Sequence, residues 1–183
     1  MELFESYISD CKIFVPRVFE DHRGYFYEGF NQNTLKEKFG IDFNLVQINQ
    51  SMSFRNVLRG LHFQLPPFDQ AKLVSVIEGE VLDVAVDLRK DSPTFGEHVS
   101  VMLSSDNKKH FYIPRGFAHG FIVLSETAKF MYGVDNNYSP KHDAGLLFSD
   151  LDLNIDWKMD HEGVLISDKD SILPKFKDFK SPF

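Results

Sequence analysis

Apolar and polar positions alternate through the middle of the chain. The run from Lys72 to Arg89, KLVSVIEGEVLDVAVDLR, predicts two β-strands joined as a hairpin at Glu78-Gly79. On the second strand Leu82, Val84, Val86 and Leu88 point one way, and Val81, Asp83, Ala85 and Asp87 the other. A face that mixes aspartates with apolar residues is either a solvent face or the wall of a polar pocket. FNLVQINQSMSF, VLRGLHFQ, EHVSVML, KKHFYIP, HGFIVLS and AKFMYGV read as further strands. Turn signals separate them at Pro66-Pro67, Ser92-Pro93, Pro114 to Gly116 and Ser139-Pro140. Many short strands at this spacing predict a β-sandwich or barrel.

One helix opens near Asn31 to Asn33 and runs through TLKEKF, with Leu35 and Phe39 on one face and Gly40 as a C-terminal stop. From Ser149 onward the chain is irregular and acidic, with its only tryptophan in NIDW and room for a short helical segment. No repeat, linker or low-complexity tract interrupts the pattern, so residues 1–183 are expected to form a single domain.

Composition narrows the function. Hydrophobic residues make up 43% and charged residues 26%, a globular balance; the 19 phenylalanines suit a sheet core or an aromatic-lined pocket. A net charge of −7 argues against a protein that tracks nucleic-acid phosphates, but it leaves room for a small basic pocket around one phosphorylated ligand. Cys11 is the lone cysteine, so neither an internal disulfide nor a thiolate metal cluster can form. There is no long apolar run for a membrane, and MELFESYISD is already mixed, so a cytoplasmic location is expected.

Of the seven histidines (His22, His62, His98, His110, His119, His142 and His161), two sit in suggestive places. His119 closes PRGFAH, a P-x-G-x-x-H pattern that resembles the second signature of the cupins, a family of double-stranded β-helix jelly rolls. The stretch matching their first signature is HFQLPPFDQ. There His62 stands at the first ligand position, Gln64 takes the place of the second histidine, and no glutamate follows at the usual reach. Two imidazoles alone make a poor divalent-metal site. The sequence resembles a cupin whose metal ligands are gone, which implies no metal and no metal-dependent oxygenase chemistry.

The resemblance sharpens over a longer set. DHRGYFYEGF, LVQINQSMS, VLRGLHFQ, QAKLVSVIEGEVLDVAVDLRKDSPTFG, YIPRGFAHGF, Tyr132, NYSPKHDAG, NIDW and SDKDSILP follow in this order from Ile13 to Pro174. Together they resemble the dTDP-4-dehydrorhamnose 3,5-epimerase family. The resemblance implies a mainly β, cupin-like jelly roll with short peripheral helices. It implies cofactor-free epimerisation at C3 and C5 of dTDP-4-dehydro-6-deoxy-D-glucose to dTDP-4-dehydro-L-rhamnose, feeding L-rhamnose and cell-surface polysaccharide synthesis. Family members are usually homodimers that exchange an N-terminal segment, and the implied partner is a dTDP-linked 4-keto-6-deoxy sugar. Two alternatives stay open: a monofunctional 3- or 5-epimerase on a related sugar, and a non-catalytic sugar-nucleotide binding protein.

Such chemistry needs a base, an oxyanion stabiliser and an acid across the ring. His62 is the candidate base, because an imidazole with pKa about 6.5 suits proton abstraction near neutrality. By resemblance Asp170, in SDKD, fixes its tautomer. Tyr132 is the candidate acid, and Lys72 and His119 are candidates for oxyanion stabilisation. Asp83, on the polar face of its strand, is placed to orient one of these cations.

Arg23 and Arg59 match the family's phosphate contacts, and guanidinium groups suit that task. Glu28, Gln47, Asn49, Asp143 and Lys169 match further substrate contacts, and Tyr138 the residue that stacks on thymine. Strict alternation would put Arg59 and His62 on opposite faces; a bulge at Gly60 would turn both inward. Three positions depart from the family pattern. Asn56 replaces a glycine, Asp143 replaces a glutamate, and GVDNN follows Tyr132, which leaves room for a different sugar, nucleotide or single-site epimerisation.

Overall fold

Two antiparallel sheets lie face to face, and a third, two-stranded ribbon stands beside them. The computed structural model describes residues 1–159 and 163–183; His161 lies outside the described residues. In chain order the strands are β1 (Glu2–Glu5), β2 (Lys12–Val15), β3 (Val18–Asp21), β4 (Gly24–Tyr27), β5 (Gln47–Phe54), β6 (Leu58–Gln64), β7 (Lys72–Glu78), β8 (Glu80–Asp87), β9 (His98–Ser104), β10 (His110–Ile113), β11 (Phe117–Val123), β12 (Thr127–Val134) and β13 (Asp143–Gly145). The larger sheet runs β1-β2-β10-β7-β12-β5 and the smaller β13-β6-β11-β8-β9, with β3-β4 as the ribbon. The architecture is a cupin-like jelly roll whose short peripheral helices include α1 (Gln32–Phe39) and α2 (Asp168–Ser171).

The alternation on β8 has a physical origin different from core against solvent. Val81 and Ala85 pack between the sheets with Val74, Val76, Phe111 and Phe130. Leu82, Val84, Val86 and Leu88 face outward, yet they are buried by Leu146, Phe148, Leu153, Ile155 and Trp157 from the irregular C-terminal part. Burying each such side chain contributes about 1.5–3 kcal/mol, so this segment holds without regular secondary structure. Trp157 is anchored further by its indole N–H, which donates to the Phe148 carbonyl at 2.9 Å. Asp83 and Asp87 are fully buried, so neither lies on a solvent face. Asp87 is saturated by Arg89, Ser92 and Thr94, while Asp83 is turned to the site described below.

The helix α1 follows its sequence signals. Asn31 Oδ1 accepts from the Thr34 amide, and Gly40 ends the helix in the left-handed region at φ 69°, donating to the Leu35 and Lys36 carbonyls. Leu35 joins Phe14, Phe43 and Leu73 in a third apolar cluster. The helical segment expected after Ser149 is α2, a single turn capped by Ser167.

One expectation is overturned. β7 and β8 do not form a hairpin: β7 pairs with β10 and β12, and β8 with β11 and β9. The chain crosses from one sheet to the other at Gly79. Its φ is +82°, and a Cβ there would overlap the Thr127 carbonyl. The glycine that signals a hairpin in sequence here serves a tight crossover. The strands β1 to β4 and β13 were not marked by the pattern; each is only three or four residues long, and unlike β10 none stood out within a longer strand-like run.

Gly79→Ala should cost about 2–4 kcal/mol, since the obstacle is backbone and the φ is unfavourable. The test is a urea titration: the midpoint falls with an unchanged slope if only native stability is lost.

Candidate active site

The space between the sheets opens at one end into a cavity of about 810 Å³. Its chemistry begins with a register shift. Between His119 and Phe121 on β11 the partner strand β6 runs from His62 to Arg59, so β6 carries one extra residue. This is the bulge expected at Gly60, which has φ +130°. A Cβ there would come within 2.5 Å of the Gly120 Cα and 2.8 Å of the His119 carbonyl. The bulge turns both Arg59 and His62 into the cavity.

His62 Nε2 lies 2.7 Å from Asp170 Oδ1. The carboxylate comes from α2, where Ser167 Oγ caps the Asp170 amide at 3.2 Å. Burial works against ionising Asp170. The hydrogen bond and charge of His62, helped by the Gly60 amide, win and hold its carboxyl below the usual range. An ionised Asp170 makes Nε2 the protonated nitrogen and leaves Nδ1 basic.

Beside this pair, His119 sits directly opposite His62 in the ladder. It is buried, with Nε2 at 2.9 Å from Asp83 Oδ2 and Nδ1 at 3.4 Å from Lys72 Nζ. Burial lowers its pKa, and Lys72 lowers it further against the pull of Asp83. Lys72, the first residue of β7, also donates to the His62 carbonyl at 3.4 Å. Burial brings its pKa down to about 8 although Asp83 and Asp143 oppose this. At neutral pH it is a cation with little solvation, ready to gain from any negative charge that forms near it.

Tyr132 enters from β12 on the facing sheet, with Lys72 Nζ 6.0 Å from its ring centre. Burial raises its pKa, which keeps the phenol protonated. At the mouth, Arg59 Nε donates to Ser53 Oγ at 3.1 Å, Gln47 donates to Asn49 at 2.8 Å, and the Tyr138 hydroxyl donates to Asp143 at 3.4 Å. Lys169 pairs with the same carboxylate, and that hydrogen bond raises the lysine's pKa. An imidazole braced by a carboxylate, a poorly solvated cation and a facing phenol together can move a proton off a carbon acid, hold the resulting charge and return a proton from the other side.

Residues 5–178 match the family described as dTDP-4-dehydrorhamnose 3,5-epimerase. The chain belongs to this family. It is 50% identical to the Shigella flexneri dTDP-4-dehydrorhamnose 3,5-epimerase over 178 residues, covering 97% of each chain. The crystal structure of the Elizabethkingia anophelis dTDP-4-dehydrorhamnose 3,5-epimerase superposes with a TM-score of 0.93 at 51% identity, covering 97% of each chain. That of dTDP-6-deoxy-D-glucose-3,5-epimerase from Legionella pneumophila, in complex with dTDP-4-keto-L-rhamnose, gives 0.94 at 44% identity over 98% of this chain and 94% of that one. The chain is thus an epimerase.

Within this epimerase, the cavity gathers His62, Lys72, Asn49, Arg59, His119, Tyr132, Tyr138, Asp143, Lys169 and Asp170. Gln47 lies just behind Asn49. Arg23 and Glu28 lie elsewhere in the single chain: Arg23 pairs with Asp21 at the ribbon turn, and Glu28 accepts from Asn31. Of the departures from the family pattern, Asp143 lines the cavity, while Gly133 and Asn56 fall outside it. Gly133 points to the far face of its sheet, where a Cβ would strike Leu45, so it does not reshape the cavity. Asn56 takes the left-handed conformation at φ 70° that a glycine would supply. Ser53 and Ser167 were not singled out from sequence; only the N-cap spacing of Ser167 before Asp170 could have signalled one of them.

Moving Lys72 from 10.5 to about 8 corresponds to a burial penalty on the order of 3 kcal/mol at pH 7. Its bonds to His62 and His119 offset part of this, so Lys72→Met should raise the unfolding free energy by about 1–2 kcal/mol at pH 7. The unfolded chain keeps the lysine proton up to its ordinary pKa. Wild-type stability therefore rises with pH between about 8 and 10.5, and the advantage of the variant shrinks over that window. Paired denaturation curves at pH 7 and pH 10.5 check this, with turnover expected to be lost in the variant.

Proposed function

We propose that the chain catalyses cofactor-independent epimerisation at C3 and C5 of dTDP-4-dehydro-6-deoxy-D-glucose, giving dTDP-4-dehydro-L-rhamnose. The observation that carries this reading is His62 on one sheet, braced by Asp170 from α2 and facing Tyr132 on the other sheet, with Lys72 between them. His62 Nδ1 takes the proton from the carbon next to the C4 ketone. The C–H electron pair moves into an enolate whose oxygen is stabilised by Lys72 and by His119, itself oriented by Asp83. Tyr132 donates its phenolic proton to the opposite face of that carbon. Solvent then removes the proton from His62 and restores the one on Tyr132, so atoms and charge balance with one solvent proton exchanged per inversion.

Arg59 and Lys169 serve the diphosphate, Tyr138 stacks on the base, and Gln47, Asn49 and Asp143 make polar contacts with the nucleotide half. In this reading Arg23 and Glu28 act in the cavity of a second copy of the chain. Support comes from the exposed aromatics of the β3-β4 ribbon, Phe19, Tyr25 and Phe26, and from Ile48, Met52 and Phe54 exposed on the edge strand β5. An edge strand with such an outward row favours pairing with another copy. Sedimentation should give the mass of a homodimer. The same reading takes residues 1–183 as one domain and places it in the cytoplasm, where the buried thiol of Cys11 stays free.

Proton NMR in deuterium oxide tests the chemistry. Deuterium should enter at both C3 and C5 with wild type and at neither with His62→Asn. Tyr132→Phe keeps the base but lacks the opposite acid, so it should exchange deuterium with little inversion. Exchange at one carbon alone would make the chain a monofunctional epimerase, and ligand binding without exchange would make it a binding protein. In the free enzyme, kcat/KM should fall as pH rises through about 8, where Lys72 loses its charge.

A further inference from the structure

Gln64 is the last residue of β6 and is 4% exposed, and its side-chain amide is fully engaged by backbone. Nε2 donates to the Phe68 carbonyl at 2.7 Å and to the Asn137 carbonyl at 3.1 Å. Oε1 accepts from the Ser139 amide at 2.6 Å. Asn137 and Ser139 flank Tyr138, so one glutamine grips the peptide on either side of that tyrosine. A second amide side chain holds the tyrosine itself, because the Tyr138 N–H donates to Gln47 Oε1 at 3.2 Å. The far end of the ring is tied as well: its hydroxyl reaches Asp143, the residue that pairs with Gln64 in the β6–β13 ladder. Tyr138 is itself 52% exposed and sits on a loop at the cavity mouth, so its placement depends on these bonds rather than on burial.

From this clamp we infer that Gln64 is a positioning residue for nucleotide recognition. It holds the Tyr138 ring in place as a preformed platform and so sets affinity for the nucleoside diphosphate half of the substrate. The inference rests on the assignment of Tyr138 to the base. An amide is the side chain that suits the task, since it offers donor and acceptor together to two successive peptides, as a neighbouring strand would. Glutamate at this position would keep the acceptor and lose both donors. A histidine would present a single donor or acceptor at each ring nitrogen and could not bridge the same groups.

The test is a double-mutant cycle on dTDP affinity by calorimetry, joined to steady-state kinetics. Tyr138→Ala alone should weaken dTDP binding; no change would remove the base-stacking assignment and leave the clamp without its object. With that effect in hand, Gln64→Leu should raise the dTDP Kd and the KM about tenfold while kcat falls less than twofold. In the Tyr138→Ala background it should add less than about twofold, because it acts through the tyrosine. If Gln64→Leu does not fold, Gln64→Glu carries the same cycle. Multiplicative effects in the double variant, or a loss of kcat with dTDP affinity intact, would overturn the inference.

Discussion

The extra residue in β6 is the constraint on which the site depends. Without it Arg59 and His62 would face opposite sides of the sheet, and the guanidinium would be separated from the imidazole. The bulge is possible because two glycines meet there, with Gly60 against Gly120 across the ladder and no space for a Cβ on Gly60. It also points the Gly60 amide at Asp170, 3.5 Å away, so the backbone that turns His62 inward helps place its carboxylate partner. A local irregularity in pairing thus serves positioning and electrostatics together.

Around that bulge the protein separates two imidazoles that are direct neighbours in the ladder. Each has its own carboxylate, Asp170 for His62 and Asp83 for His119. Their surroundings differ. His62 keeps a third of its side chain in contact with solvent. His119 is buried and faces the Lys72 ammonium with its second nitrogen. A group that cycles protons needs a route to water, whereas one that holds charge in place does better without it. On the proposed mechanism the same residue type carries two tasks, divided by exposure and by what the second nitrogen meets.

Much of the fold was legible because the central strands are long enough to alternate, and the helix α1 carried both of its end signals. The alternation on β8 was read correctly, but its second face could not be assigned. The apolar cover over Leu82 and Val84 comes from a distant segment with no periodicity of its own. The crossover at Gly79 was mistaken for a turn because glycine marks both, and only the identity of the neighbouring strands distinguishes them. Within the site, the bulge at Gly60 could be anticipated from the conflict between alternation and the need for two inward side chains. The Asp170 partnership spans 108 residues and came from family resemblance alone. The backbone bonds of Gln64 had no signature in the sequence, which marked that residue only as a missing metal ligand.

That substitution bears on how the architecture divides its tasks on the proposed mechanism. On the proposed mechanism a cation at the heart of the cavity holds the enolate, and Lys72 supplies it from the facing sheet at a cost in stability. Burial holds its pKa close to the working range, which makes the charge responsive to the oxyanion forming beside it. Freed from ligation, the position of Gln64 can instead order the loop around the cavity mouth. Charge at depth and rigidity at the rim are then supplied by different residues. Binding of the nucleotide and ionisation of the sugar can consequently be tuned separately, with loop geometry controlling the first and the solvation of one lysine the second.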